Sequence, residues 1–204
     1  MILILALFMV FQACKKSDDT VPVAPDPVEH QRGDIAKVTS LGIYSTDMIE
    51  QIIEESPIDF TQMLAHSVEA LSVQYYTVDH EDNMILASGA IFVPQNRSAF
   101  PLMSIQHGTE TRRDLVASVD PENSSEGKIA LLTASIDYVT LVPDYQGFGV
   151  SLDFHPYLHA NSLVPGVIDF IIAGKNYCQQ NDIQLKDELY LSGYSEGGYV
   201  SLLT

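Results

Sequence analysis

From residue 72 onward, apolar positions come in two rhythms. The stretches SVQYYTVDH (Ser72 to His80) and MILASGAIFVP (Met84 to Pro94) are rich in β-branched and aromatic residues, with the charged turn Glu81-Asp82-Asn83 between them, and predict a hairpin. After it come short unbroken apolar runs, PLMSIQ (101–106), YVTLVP (138–143) and ELYLSG (188–193), separated by GKIALLTASID (127–137) and by a longer stretch over 160–180. The first of these intervening stretches predicts a helix. The second predicts a long helix, with Leu163, Val164, Val167, Ile168, Ile171 and Ile172 on its buried side. EGGYVSLLT, from Glu196, opens a last helix. Strands that are apolar without alternation, each followed by a helix, belong to a parallel sheet covered on both faces, here preceded by an antiparallel hairpin.

Upstream, Met48, Ile52, Ile53, Phe60 and Leu64 are spaced like helix faces interrupted at Pro57, and folded structure is expected to begin near Thr39. The first 13 residues, MILILALFMVFQA, are apolar but too few for a membrane-crossing helix, which needs about 20 residues. Their length fits the apolar region of a secretory signal. Ala13 directly before Cys14 resembles the cleavage box of bacterial lipoproteins, in which the cysteine carries the lipid. Phe11 and Gln12 are not the usual residues of that box, and no Lys or Arg precedes the apolar run. An ordinary cleaved signal and an uncleaved anchor stay open beside lipidation. The polar, proline-containing residues that follow read as a tether. The resulting division is a signal over 1–13, a lipidated Cys14 with a tether over 14–38, and a folded part over 39–204. The acidic pair Asp18-Asp19 resembles the export signal of surface lipoproteins, and the expected location is the bacterial cell envelope, lipid-anchored at the outer membrane or cell surface.

The chain has 204 residues, 46% hydrophobic and 18% charged, enough for one domain with a core. Its 27 acidic against 10 basic side chains give a net charge of -17, which excludes nucleic acid as the main partner. Cys178 falls in the apolar long helix and reads as a buried thiol. His107, His155 and His159 lack the carboxylate or cysteine spacing of a metal site, so neither metal nor cofactor is expected.

Gly193-Tyr194-Ser195-Glu196-Gly197 matches G-x-S-x-G, the turn that presents a nucleophilic serine between a strand and a helix. The match alone is weak, but a strand directly before it and a helix directly after it are the context that the chemistry requires. The expected roles follow. Ser195 is the nucleophile, Gly193 and Gly197 permit close packing, and Gly198 relieves crowding. The Glu196 amide is one oxyanion donor, its carboxylate pointing away from the site. The second donor is expected from Gly108 or Thr109, where QHGTE opens the loop after the strand 101–106. His107 then shapes that loop, and His155 and His159 are loop and helix-start residues. Asp144, in VPDYQGFGVS, has the chemistry of a triad acid but precedes the serine.

QHGT, VPDYQGFGVS, HANS and GYSEGG, in this order and spacing, resemble the secretory lipase family of α/β-hydrolases and its bacterial relatives, over roughly Val73 to Thr204. The resemblance implies the α/β-hydrolase fold and an ester or lipid hydrolase acylated at Ser195. In such elbows glutamine often stands where Glu196 does. In that fold an acid and a histidine follow the serine in sequence, and neither fits between Glu196 and Thr204. The 204 residues are therefore expected to be the N-terminal part of such a domain, poorly soluble and inactive alone. A serine peptidase of the same fold and a non-catalytic surface lipoprotein are the alternatives.

Overall fold

A computed structural model describes residues 29–204 except 55, 57 and 97; Cys14, the residues before it, the tether up to 28 and the break at Pro57 lie outside the described residues. In chain order the elements are β1 (Ile35–Tyr44), α1 (Thr46–Ile52), a single 3-10 turn at Thr61–Met63, β2 (Val68–Val78), β3 (Met84–Pro94) and β4 (Phe100–Gln106). They continue with α2 (Ser125–Ser135), β5 (Val139–Pro143), α3 (Ala160–Gln180), β6 (Leu185–Gly193) and α4 (Glu196–Leu203). Both strands of the predicted hairpin, the three later strands and the long helix are present.

One mixed sheet contains the six strands in the order β1-β2-β3-β5-β4-β6. β1, β2 and β3 form an antiparallel meander, β3 meets β5 antiparallel, and β4 lies parallel between β5 and β6. This arrangement is that of the α/β-hydrolase fold, with β2, β5, β4 and β6 running in one direction.

Alternation along the strands divides the core in two. Leu71, Val73 and Tyr75 of β2, Ile91 and Val93 of β3, and Leu141 of β5 face α3 and α4, whose Leu163, Val167, Phe170 and Val200 join the same cluster. Val68, Ala70, Ala90, Phe92 and Val142 face the opposite layer, with Ala130, Leu131 and Ala134 of α2 and Ile49 of α1. Each fully buried Phe or Leu contributes about 1.5–3 kcal/mol relative to exposure. Gly89 of β3 makes the α3 contact possible, since a Cβ there would lie 2.5 Å from the Phe170 ring.

The buried face of α3 differs from the sequence expectation. Leu163, Val167, Phe170 and Ile171 are buried, whereas Ile168 and Ile172 are more than a third exposed. The apolar arc is rotated toward Phe170, and Ile172 instead covers Gly33. Order also begins earlier than Thr39. β1 starts at Ile35, and Arg32 ahead of it pairs with buried Asp169 of α3 through Nε at 2.9 and 3.0 Å. Thr77 donates to the same carboxylate at 2.6 Å. The predicted helical segment over 47–64 resolves into α1 and the 3-10 turn. Among the described residues no helix is long and apolar enough to cross a membrane.

Candidate active site

β6 delivers its last residue, Gly193, to a sharp turn, and α4 begins three residues later. Ser195 occupies that turn with φ 55° and ψ -116°, a conformation that L residues rarely adopt and that functional turns hold under constraint. The constraint comes from close backbone approach. A Cβ on Gly193 would overlap the Gly197 carbonyl and lie 2.8 Å from Ser201 Oγ; one on Gly197 would overlap the Gln106 carbonyl oxygen. Gly198 is different, because a Cβ there meets only the Gly193 carbonyl oxygen at 3.4 Å, an ordinary contact, so it does not have the crowding role expected of it.

Beneath the turn, fully buried Gln106 ties three elements together. Its amide nitrogen faces the Ser192 carbonyl at 2.6 Å and the Ser201 hydroxyl at 2.7 Å, and its oxygen accepts from the Ser104 hydroxyl at 2.7 Å. The Ser195 side chain is exposed, and its hydroxyl has no hydrogen-bond partner among the described residues. The serine is thus held by backbone and open to a reactant.

The loop after β4 lies directly against this turn, with the Gly108 Cα facing the Tyr194 carbonyl. The two candidate donors there differ. Gly108 N–H already donates to Glu126 Oε1 of α2 at 3.0 Å, whereas Thr109 N–H has no acceptor among the described residues. Glu196 N–H is in the first turn of α4, where backbone donors have no intrahelical acceptor. Thr109 also brings its hydroxyl to 3.4 Å from the Tyr157 hydroxyl, joining this loop to the one after β5.

His107 is buried and neutral. Its Nδ1 donates to the Gly108 carbonyl at 2.8 Å, its ring stacks on Tyr145 at 4.0 Å, and burial pushes its pKa down to about 4. Tyr145 in turn donates its phenol proton to the His107 carbonyl at 3.0 Å. Such a histidine braces the loop and has no contact with Ser195. Asp144 is likewise occupied. It is buried, accepts from Ser88 Oγ at 2.5 Å and from Ser118 Oγ, and meets no histidine; burial raises its pKa to about 6. His159 caps α3 and pairs its Nδ1 with Ser162 Oγ at 2.8 Å, as expected of a helix-start residue.

Glu196 has partners that the sequence does not announce. Its carboxylate turns inward, 1% exposed, and meets His155 Nε2 at 3.0 Å and the Leu158 amide at 3.3 Å. The pairing spans 41 residues, so spacing along the chain carries no trace of it. The available signal was chemical: an acidic residue where glutamine is usual, and a histidine inside a loop whose glycines mark it as part of the rim.

No family model matches the chain, and no curated protein matches it. Several solved structures do. A Legionella pneumophila protein provisionally named a hydrolase is 29% identical with a TM-score of 0.76 over 83% of this chain and 46% of its own. The ligand-bound esterase LipA of Xanthomonas oryzae, which degrades rice cell wall, is 27% identical with a TM-score of 0.75 over 85% of this chain and 45% of its own. Candida antarctica lipase A in its closed state, 17% identical with a TM-score of 0.57, shares the fold over 85% of this chain and 38% of its own. The chain therefore spans less than half the length of these structures, and its fold is that of hydrolases.

Proposed function

We propose that this chain carries the nucleophile half of a serine hydrolase acting on carboxylic esters, small-molecule or lipid. The observation that carries the reading is the backbone of Ser195, held at φ 55° between β6 and α4 by glycines that no larger residue could replace. Likeness to an esterase at 27% identity supports the same chemistry.

In this reading Ser195 Oγ attacks the ester carbonyl carbon as a base takes its proton. The carbonyl oxygen becomes an oxyanion that accepts from the Thr109 and Glu196 amides, two fixed donors needing no rearrangement. Gly108 shapes the loop, and its own amide is spent on Glu126. Collapse of the tetrahedral intermediate breaks the bond to the alcohol oxygen, which leaves with the proton, and the acyl group stays on Ser195. Water then attacks the acyl-enzyme, releasing the carboxylic acid and restoring the serine. Among the described residues no histidine or carboxylate reaches the Ser195 hydroxyl. No base or acid partner for Ser195 is assigned among the described residues. Lipidation at Cys14 would hold the enzyme at the cell envelope.

A fluorophosphonate probe tests the assignment on the product of the full reading frame, beside Ser195→Ala. Labelling that disappears in the variant is expected. Labelling that survives it, or none in the parent, ends the reading.

A further inference from the structure

We infer that His155 and Glu196 share one extra proton, and that this proton latches the loop after β5 onto the nucleophile turn. The inference follows from donors and acceptors. His155 Nδ1 lies 3.1 Å from the Gln146 carbonyl oxygen, which can only accept. His155 Nε2 lies 3.0 Å from Glu196 Oε1, which as a carboxylate can also only accept. A neutral imidazole has one N–H, so one of these two contacts would set lone pair against lone pair. Both are hydrogen bonds only if the pair holds a second proton.

Charge balance around Glu196 calls for the same proton. Glu196 is 1% exposed, and a buried carboxylate must be neutralised. The described groups around it supply no other cation. From the β4 loop come neutral His107 and acidic Glu110; from α2 comes the Glu126 carboxylate on Gly108. The β5 loop presents Tyr145, whose phenol burial raises far above its ordinary value, and Tyr157, with ring centroids 6.0 and 6.3 Å from His155. It also carries Asp153, and Arg113 spends its guanidinium on the Ser151 and Asp153 carbonyls. Among the described residues only His155 is placed to compensate Glu196. Placement favours the imidazolium-carboxylate form, because Oε1 also accepts the Leu158 N–H and Glu196 stands at the N-terminus of α4.

Glu196 and His155 are in this sense positioning residues. The latch fixes the residue whose amide is the proposed oxyanion donor, and holds in place a loop carrying exposed Leu152, Phe154 and Tyr157. Only that consequence for the oxyanion donor rests on the hydrolase reading.

The proton is read without activity, on the product of the full reading frame with ¹⁵N-labelled histidine at neutral pH. The His155 signals are assigned by their loss in His155→Gln, and neutral His107 serves as an internal reference. Two protonated ring nitrogens on His155 support the inference. So does one protonated nitrogen together with an infrared carboxylic-acid band that vanishes in Glu196→Gln. One bare nitrogen and no such band overturn it.

The latch is read by limited proteolysis in the 150–158 loop. Glu196→Ala is expected to speed cleavage about tenfold, the loss of a hydrogen bond to a charged group, and Glu196→Gln to restore part of the protection, its amide N–H standing in for the extra proton by donating to Nε2 while Nδ1–H stays on the Gln146 carbonyl. Equal cleavage in the parent and Glu196→Ala overturns the latch. Failure of the fluorophosphonate probe would remove the hydrolase reading and leave both results standing.

Discussion

Gly197 stands so close to Gln106 that a Cβ on the glycine would overlap the Gln106 carbonyl oxygen and lie 2.7 Å from the carbonyl carbon. The obstacle is strand backbone, which cannot rotate aside as a side chain can. One residue further along, Gly198 has a Cβ path whose first neighbour, the Gly193 carbonyl oxygen, is 3.4 Å distant. Two adjacent glycines at the start of one helix thus have opposite tolerance for a methyl group.

Gly197→Ala is expected to cost about 1–3 kcal/mol, as overpacking does, by pushing α4 off β4. Gly198→Ala is expected to be neutral or to stabilise by up to about 1 kcal/mol, since alanine favours the helix. Urea unfolding of the two variants beside the parent measures both. Equal losses would mean that the turn tolerates neither methyl and that the close approach to Gln106 is not what distinguishes them.

Asp144 makes stability depend on pH in the opposite sense to a salt-bridged carboxylate. Burial outweighs the hydroxyls of Ser88 and Ser118 and raises its pKa to about 6, against about 3.9 in an unfolded chain. The folded state therefore holds the proton more tightly than the unfolded one. The contribution is fully present below about pH 3.9 and is lost as pH rises through about 6, an amount on the order of 3 kcal/mol. Asp144→Asn keeps an oxygen for Ser88 and Ser118 and cannot ionise. The difference in unfolding free energy between Asn and parent is expected to move in favour of Asn as pH rises from 4 to 7. A difference that stays constant over that range would show that Asp144 is not protonated in the folded protein.

Much of this architecture was legible because the signals were local. α3 has the bounds 160–180 that its apolar spacing predicts, and the turn at Ser195 was set by a pentapeptide between a strand and a helix. β1 was not legible. Its sequence, IAKVTSLGIY, has polar side chains on an edge strand with two register shifts, so no alternation announces it. The inward turn of Glu196 was not legible either, because a motif position fixes the backbone and says nothing of where the side chain goes. That direction is decided by His155 and the Leu158 amide, which reach the carboxylate only once the β5 loop has folded over α4.

Tertiary contacts also hold the segment ahead of β1. Arg32 precedes β1, yet its guanidinium supplies two of the three hydrogen bonds to Asp169, a carboxylate 1% exposed within α3; Thr77 supplies the third. With the arginine gone, the charge stays buried with one hydroxyl for company. Arg32 itself is nearly half exposed, which reduces the cost below that of breaking a fully buried pair. Arg32→Ala is expected to destabilise by about 1–3 kcal/mol, whereas Arg32→Ala combined with Asp169→Asn recovers part of the loss, because the uncompensated charge is removed with its partner. A double-mutant cycle by urea unfolding reports the coupling. Strict additivity would show that the arginine contributes packing against α3 alone, and that the residues ahead of β1 are held to the fold by Gly33 against Ile172 and not by charge.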